Sequence, residues 1–287
     1  MARSHFPSRR AAHVLVGALL TAVALLAGCG APAGPAAPPP GSVTVPAGAF
    51  LQDGQITYCS DISAPPLTFY DAAQTPVGVE IELGDALAAE LGVRSKWANT
   101  SFNGIIPALQ GRQCDAIVSQ LYIKPEREAV VDFVPYMYAS NILVVPSGNT
   151  GINGASDLCG AKAAAQTGTT IIGYFTDQSA TCTAAGRPAI DIRQFTKDSD
   201  ALQQLRLGLV DSYGTTLETA AYVMGQQPGV FRLAGEPFNR IKVGIATRKG
   251  EQALHGALAQ ALAAIQKKGT YAAILTKWNL TGDDVSR

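Results

Sequence analysis

Histidine is the scarcest reactive side chain in this sequence, with three in 287 residues, at His5, His13 and His255. His5 and His13 fall in an N-terminal segment laid out like a secretory leader, so the mature chain keeps His255 alone. A Ser-His-Asp or Cys-His centre has nothing else to draw on, and a multi-histidine metal site is excluded. We therefore assign no catalytic residue, no metal ligand and no cofactor. Charge is also sparse at 15%, and no acidic residue precedes Asp53. Once Arg3, Arg9 and Arg10 leave with the leader, 19 basic side chains face 22 acidic ones, a net charge of −3. Such a surface is electrostatically unsuited to nucleic acid. No hydrophobic run of spanning length follows the leader. No Cys-x-x-Cys spacing occurs either, which argues against a zinc ribbon or a thioredoxin-type site.

What remains is 47% hydrophobic, ample for one or two domains with packed cores. Residues 1–28 carry a basic start, an apolar run over 11–27 and the sequence Leu26-Ala27-Gly28-Cys29, the plan of a cleaved signal peptide. Leu-Ala-Gly-Cys resembles the lipobox of bacterial lipoproteins, which makes Cys29 the lipidated residue. A retained membrane helix and plain secretion are the alternatives; the apolar run is shorter than the roughly 20 residues a span needs. Residues 29–52 are rich in Ala, Pro and Gly up to Ala49 and read as a semi-extended tether. The expected location is the extracytoplasmic face of a cell membrane, held there by lipid, periplasmic or extracellular, in an oxidising compartment.

Four cysteines remain for that compartment. Cys159 and Cys182 precede two segments that read as neighbouring parallel strands, so a disulfide is expected between them. Cys59 falls late in one strand and Cys114 at the start of another. The two are offset along the strands by three or four residues, roughly 10 to 13 Å, too far to bridge.

From residue 55 short apolar strands alternate with helices. Strands are expected over 56–59, 93–97 and 115–118, and helices over 82–91 and 104–110, with a further helix opening at Pro125. A bare apolar strand over 141–145 ends at Pro146, and after a loop over 147–157 the pattern restarts. Strands follow over 162–166, 190–195, 211–214 and 242–247, with helices over 169–178, 198–207, 218–224, 251–268 and 271–277. The alternation calls for an α/β fold with doubly wound parallel sheets. The break after Val145 calls for two lobes with a ligand between them, where the C-terminal ends of strands face a cleft.

Several stretches then carry a resemblance in their order and spacing. They are Gly78-Val79-Glu80-Ile81-Glu82-Leu83, Ser101-Phe102-Asn103-Gly104-Ile105-Ile106-Pro107-Ala108-Leu109 and Asp115-Ala116-Ile117-Val118-Ser119, then Pro125-Glu126-Arg127 with Val131-Asp132-Phe133. Gln166-Thr167-Gly168-Thr169-Thr170 and Gly235-Glu236-Pro237-Phe238 complete the set. Together they make residues 55–280 similar to the amino-acid type (family 3) solute-binding proteins of ABC importers. The resemblance implies a periplasmic-binding-protein-like clamshell of two doubly wound lobes joined by a two-segment hinge. Lobe 1 would span 53–139 and 240–287, lobe 2 would span 145–235, and the hinge would occupy 140–144 and 236–244.

It also implies the ligand residues. The arginine at the position of Arg127 clamps a ligand α-carboxylate in the family, a task suited to a planar fork of donors; the plain reading is a solvated arginine in a helix's first turn. Ser119, Gln120 and Tyr122 occupy the loop leading to it. Gln166, Thr169 and Thr170 open the first helix of lobe 2, whose exposed amides attract anionic oxygen, and Thr169 doubles as an ordinary N-cap. Asp61 is the acid that meets polar ligand side chains, or a turn aspartate, and Phe102 is an aromatic wall or a core residue. Three departures follow. Ala64 replaces a stacking aromatic, Tyr122 and Lys124 replace Ser and Thr, and Thr216 replaces the acid that binds an α-ammonium. Glu218 stands nearby as a substitute for that acid, or as a first-turn glutamate favoured by the helix dipole. Lys124, beside Arg127, adds positive charge suited to a ligand with an extra carboxylate.

The expected function is capture of a small carboxylate-bearing solute by a monomer that delivers it to an ABC permease, without catalysis. The alternatives are a sensor acting on a signalling partner and a dehydratase on the same scaffold, drawing on Glu218, Lys124 or Asp61 as acid or base.

Overall fold

In the computed structural model, residues 41–286 are described. The leader, Cys29 and the first part of the tether lie outside these residues. No helix among the described residues is long and apolar enough to cross a membrane.

The elements follow the expected alternation. In the first lobe, strand β1 (Gln55–Ser60) leads into a two-stranded ribbon, β2 (Phe69–Tyr70) and β3 (Pro76–Val77), and then helix α1 (Val79–Glu90). Next come β4 (Arg94–Asn99), α2 (Ile105–Gln110), β5 (Ala116–Ile117), the short α3 (Pro125–Glu128) and β6 (Val131–Pro146). The second lobe adds β7 (Lys162–Gln166), α4 (Thr170–Ala184), β8 (Asp191–Phe195), α5 (Asp198–Arg206), β9 (Ser212–Thr216) and α6 (Leu217–Gln226). Strand β10 (Phe231–Arg248) returns to the first lobe, which α7 (Gln252–Lys267) and α8 (Thr270–Lys277) complete.

The strands form one ladder in the order β4-β1-β5-β10-β6-β9-β7-β8. Its outer pairs are parallel, as the alternation requires, but its centre is not. β6 and β10 run antiparallel to each other through both lobes, from Arg248 against Val131 to Phe231 against Pro146. The sheet is therefore mixed. Sequence reading found only the apolar parts of these two strands, because the start of β6 mixes buried with exposed residues and contains Pro135, while β10 over 235–242 buries no residue and contains Pro237. Their pairing is irregular between Ala234 and Phe238 and again between Phe238 and Ile241, beside the left-handed Gly235 and Asn239.

Each lobe buries side chains on both faces of its part of the sheet. In the first, α1, α7 and α8 cover one face through Leu83, Leu87, Leu258, Leu262 and Ile274, and α2 covers the other through Ile105 and Leu109. In the second, α5 and α6 cover one face through Leu202, Leu205 and Val223, and α4 the other through Ile171 and Phe175. A glycine decides one of these contacts. A β-carbon on Gly84 of α1 would stand 2.5 Å from the Trp97 ring, so the indole packs against the helix only because that position is bare. The stretch expected as tether to residue 52 is docked in its last part: Val43, Val45 and Phe50 pack on the first lobe's core, and the Val43 amide donates to the Glu90 carbonyl at 3.0 Å.

Both cysteine pairs are bridged. Cys159 and Cys182 are joined as expected, with Cα atoms 5.5 Å apart, although Cys182 lies in the last turns of α4 rather than ahead of a strand. Cys59 and Cys114 are also joined, at 5.7 Å, against the expectation of an axial offset. The offset presumes that Cys114 lies on a straight extension of β5. The strand begins only at Ala116, and the turn that ends α2 folds Cys114 back under β1.

Candidate functional site

Nearly every parallel strand ends at the same cavity between the lobes. Asp61 follows β1, Phe102 follows β4, Ser119, Gln120 and Tyr122 follow β5, and Gln166 closes β7 with Thr169 and Thr170 behind it. Asp198 follows β8, Thr216 closes β9, and Arg127 reaches in from α3. Of the eleven residues expected to meet ligand, ten line this cavity; the eleventh, Glu218, stands behind Gln120, whose Nε2 donates to Glu218 Oε2 at 3.2 Å.

Arg127 forms no ion pair among the described residues. Its Nη1 donates to the Tyr122 carbonyl at 3.0 Å and its Nη2 to the Gly168 carbonyl of the other lobe at 3.2 Å. The guanidinium carbon lies 5.7 Å from the centre of the Phe102 ring, within cation–π range. Burial lowers the guanidinium's pKa, yet an arginine stays charged at any pH the fold meets. This is a cation still able to receive a carboxylate. Lys124 does not share the role: its Nζ pairs with Glu126 at 2.6 Å and it does not line the cavity.

Opposite Arg127, α4 presents its N-terminus. Thr169 is the N-cap residue, but its hydroxyl donates to the Gln166 carbonyl at 2.7 Å and caps no amide. The Thr170 hydroxyl donates to Asn141 Oδ1 at 2.9 Å, and Asn141 Nδ2 donates to the Tyr122 hydroxyl at 3.2 Å. Thr216, by contrast, is the N-cap of α6 and accepts from the Thr219 amide. Its place in the cavity is neutral.

The acids are placed by dense hydrogen bonding. Asp61 Oδ1 accepts from the Ser63 hydroxyl, and Oδ2 accepts from the Phe102 amide and from Gln166 Nε2, both at 2.9 Å. Gln166 belongs to the other lobe, as does Asp198, whose amide donates to Ser63 Oγ at 3.2 Å. The lobes therefore meet across the cleft through Asp61–Gln166, Ser63–Asp198, Gln120–Glu218 and Arg127–Gly168.

Sequence reasoning missed Glu80, Asn141 and Asp198 as lining residues. Asp198 was within reach of the rule that strand C-termini face the cleft, since it opens the helix after β8. Glu80 gave no such signal, being one of two acids in the first turn of α1. Its Oε1 accepts from the Tyr136 hydroxyl and, at 2.6 Å, from the Gln120 amide, which holds Gln120 in a left-handed conformation with φ 43°.

Burial pushes Glu80, Asp198 and Glu218 each up to about 7, against ordinary values of 4.5, 3.8 and 4.5. The unfolded chain releases these protons near pH 4 and the folded chain keeps them to about 7. In that window the native state binds more protons, so stability is full below pH 4 for these groups and falls as pH rises to 7. Scanning calorimetry of the protein without added ligand should give a higher melting temperature at pH 5 than at pH 7.5. The reverse order would count against the raised values of these three acids.

With this geometry in view, comparison with known proteins is specific. A sequence profile of the bacterial extracellular solute-binding proteins, family 3, matches residues 56–281. The L-cystine-binding protein TcyJ of Escherichia coli strain K12 is 30% identical over 225 residues, 78% of this chain and 81% of that protein. An ancestral arginine-binding protein bound to arginine superimposes with a TM-score of 0.74 at 34% identity, covering 78% of this chain and 98% of its own. An ancestral amino acid-binding protein that is a precursor of cyclohexadienyl dehydratase gives 0.68 at 32% identity, covering 78% and 95%.

Proposed function

The chain belongs to the bacterial extracellular solute-binding proteins, family 3, and from that premise we propose that it captures a small carboxylate-bearing solute, an amino acid or derivative, for an ABC permease. The observation that carries the reading is Arg127, a cation held by two carbonyls from opposite lobes at the mouth of an α-helix N-terminus. A carboxylate bound there takes two parallel bonds from the fork and further donors from the amides of Thr170 and Ile171. The ligand would thereby touch both lobes and stabilise the closed arrangement, a hinge motion driven by differential contacts.

The division that serves this motion places lobe 1 at 53–139 and 240–287, lobe 2 at 145–235, and the hinge at 140–144 and 236–244. The irregular pairing around Gly235, Phe238 and Asn239 supports the second hinge segment. Lipidation at Cys29 would tether a monomer on the extracytoplasmic face. The role is read as binding and not catalysis, because Asp61, Glu80 and Glu218 accept hydrogen bonds that hold the cleft loops in place. Turnover of prephenate or arogenate would instead favour the dehydratase reading.

The test is isothermal calorimetry of the purified protein against the twenty common amino acids and cystine. At least one should bind saturably with a dissociation constant of roughly 10 μM or below, about −7 kcal/mol. No binding across the whole panel would sink the reading.

A further inference from the structure

Each of the four polar contacts that join the lobes uses a residue lining the ligand cavity, namely Asp61, Gln120, Arg127, Gln166 or Asp198. A further contact between the lobes does not. Phe69 of β2, in the first lobe, meets Tyr222 of α6, in the second, with ring centroids 5.8 Å apart and planes tilted by 48°. That separation falls within the roughly 4.5 to 7 Å at which aromatic pairs attract. Neither ring lines the cavity, although Thr68, just before Phe69, and Thr219, one turn before Tyr222, both do. The pair therefore sits immediately outside the cavity wall.

Phe69 is braced for this contact. Trp278 stands edge-on behind it, with centroids 6.1 Å apart and planes at 90°. The indole Nε1 donates to Glu82 Oε1 at 3.2 Å, and Lys277, which pairs with the same carboxylate at 2.6 Å, lies 5.6 Å from the indole ring centre. Along the chain, Phe69 is carried by the β2–β3 ribbon, where it pairs with Val77. Asp71 closes the ribbon's turn, its Oδ1 accepting from the amides of Ala73 and Thr75 at 2.9 and 2.8 Å. The Thr68 hydroxyl fixes the base by donating to the Asp61 carbonyl at 2.7 Å. A ring held in this way has little freedom left to lose when Tyr222 arrives, so the contact forms at small entropic cost.

The two rings belong to different lobes, and their contact involves no ligand atom. Its free energy is accordingly the same whichever solute occupies the cleft. A contact made only in the closed state multiplies that state's population by a fixed factor, and apparent affinity follows the population of the binding-competent state.

Resting on the binding-protein reading above, we propose that Phe69 and Tyr222 form an interlobe latch, with Trp278 as the positioning residue behind it, that raises affinity for every ligand by one common factor without touching any of them.

Calorimetry of the intact protein with L-arginine, L-glutamine and L-cystine, and with any other member of the panel above that binds, tests this. Phe69→Ala and Tyr222→Ala should each weaken every amino acid that binds wild type by about 10-fold, the scale of one aromatic pair with its buried area. The double variant should lie within about threefold of either single variant, because all three lack the same contact. Tyr222→Phe keeps the ring and should bind within about threefold of wild type. Dissociation followed by stopped flow should quicken about 10-fold in both alanine variants, since the latch exists only in the closed complex. Tyr222→Ala, on the lobe opposite the ribbon, separates loss of the latch from disturbance of the ribbon itself. A loss that differs from one amino acid to another would place the rings in the ligand site and overturn the proposal. So would a double variant weakened about 100-fold, which would make the two residues independent. Wild-type affinity in both alanine variants would defeat this inference and leave the binding reading standing; no amino acid bound by wild type would defeat both.

Discussion

Replacing Arg127 with alanine should lower affinity for the protein's amino-acid ligand at least about 100-fold, roughly 3 kcal/mol, while the ligand-free melting temperature moves by no more than about 2 °C. The two halves of this expectation come from different atoms. Affinity falls because the fork is the one cation among the described residues that line the cavity, and Lys124 is turned to Glu126. Stability is spared because the side chain is only half-buried, belongs to no core cluster, and leaves behind two carbonyls, of Tyr122 and Gly168, that water at the cleft can satisfy. Arg127→Lys should fall between, since an ammonium keeps the charge and loses the paired donors. Calorimetric titration and a thermal scan of the same preparations check both halves. Affinity equal to wild type would remove Arg127 from the site. A large drop in melting temperature would recast it as structural.

How much of this was legible in the sequence follows the physical range of each signal. Local periodicity marked the helices and parallel strands, because each buries one face whose spacing is written in consecutive residues. The family resemblance then supplied most of the cleft residues, and Asp61, Phe102 and Gln166 sit where a strand hands over to a loop or helix. Two kinds of feature escaped. The central antiparallel pair β6–β10 is made by residues far apart in sequence, from Phe231 against Pro146 to Arg248 against Val131, and stretches of both strands carry prolines and exposed side chains that hide the strand pattern. The lining role of Glu80 depends on Tyr136 and the Gln120 amide, 56 and 40 residues away, which a reading of helix α1 alone cannot supply. Lys124 erred in the opposite direction: proximity to Arg127 in sequence suggested a shared positive site, and an ion pair with Glu126 at 2.6 Å claimed the ammonium.

The Cys59–Cys114 bridge shows the same lesson at a larger energetic scale, and its removal should be the most destabilising change among the cysteines. The bridge spans 55 residues, a loop that includes α1, β4 and α2, and chain-entropy reasoning gives about 4 kcal/mol for a closure of that length. The Cys159–Cys182 bridge spans 23, for which the same reasoning gives about 3 kcal/mol. Burial widens the difference. Cys59 and Cys114 are both fully buried among Ile105, Leu109, Ile117, Leu121 and Val131, so alanines there also lose packing in the core under the cleft. Cys159 is partly exposed, so its bridge is the one a reductant reaches first. In denaturant titrations, Cys59→Ala/Cys114→Ala should lose at least about 4 kcal/mol and Cys159→Ser/Cys182→Ser about 3 kcal/mol. Binding should separate the two further. Cys59 lies two residues before Asp61, on the strand whose end supports Ser119 through the Asp61 amide at 3.0 Å. The first variant should therefore weaken ligand binding as well as the fold, whereas the second, remote from the cavity lining, should leave affinity within about threefold. Equal losses of stability from the two variants would show that loop length and burial do not govern these bridges. Unaltered binding in the first would show that β1 keeps Asp61 in place without the crosslink.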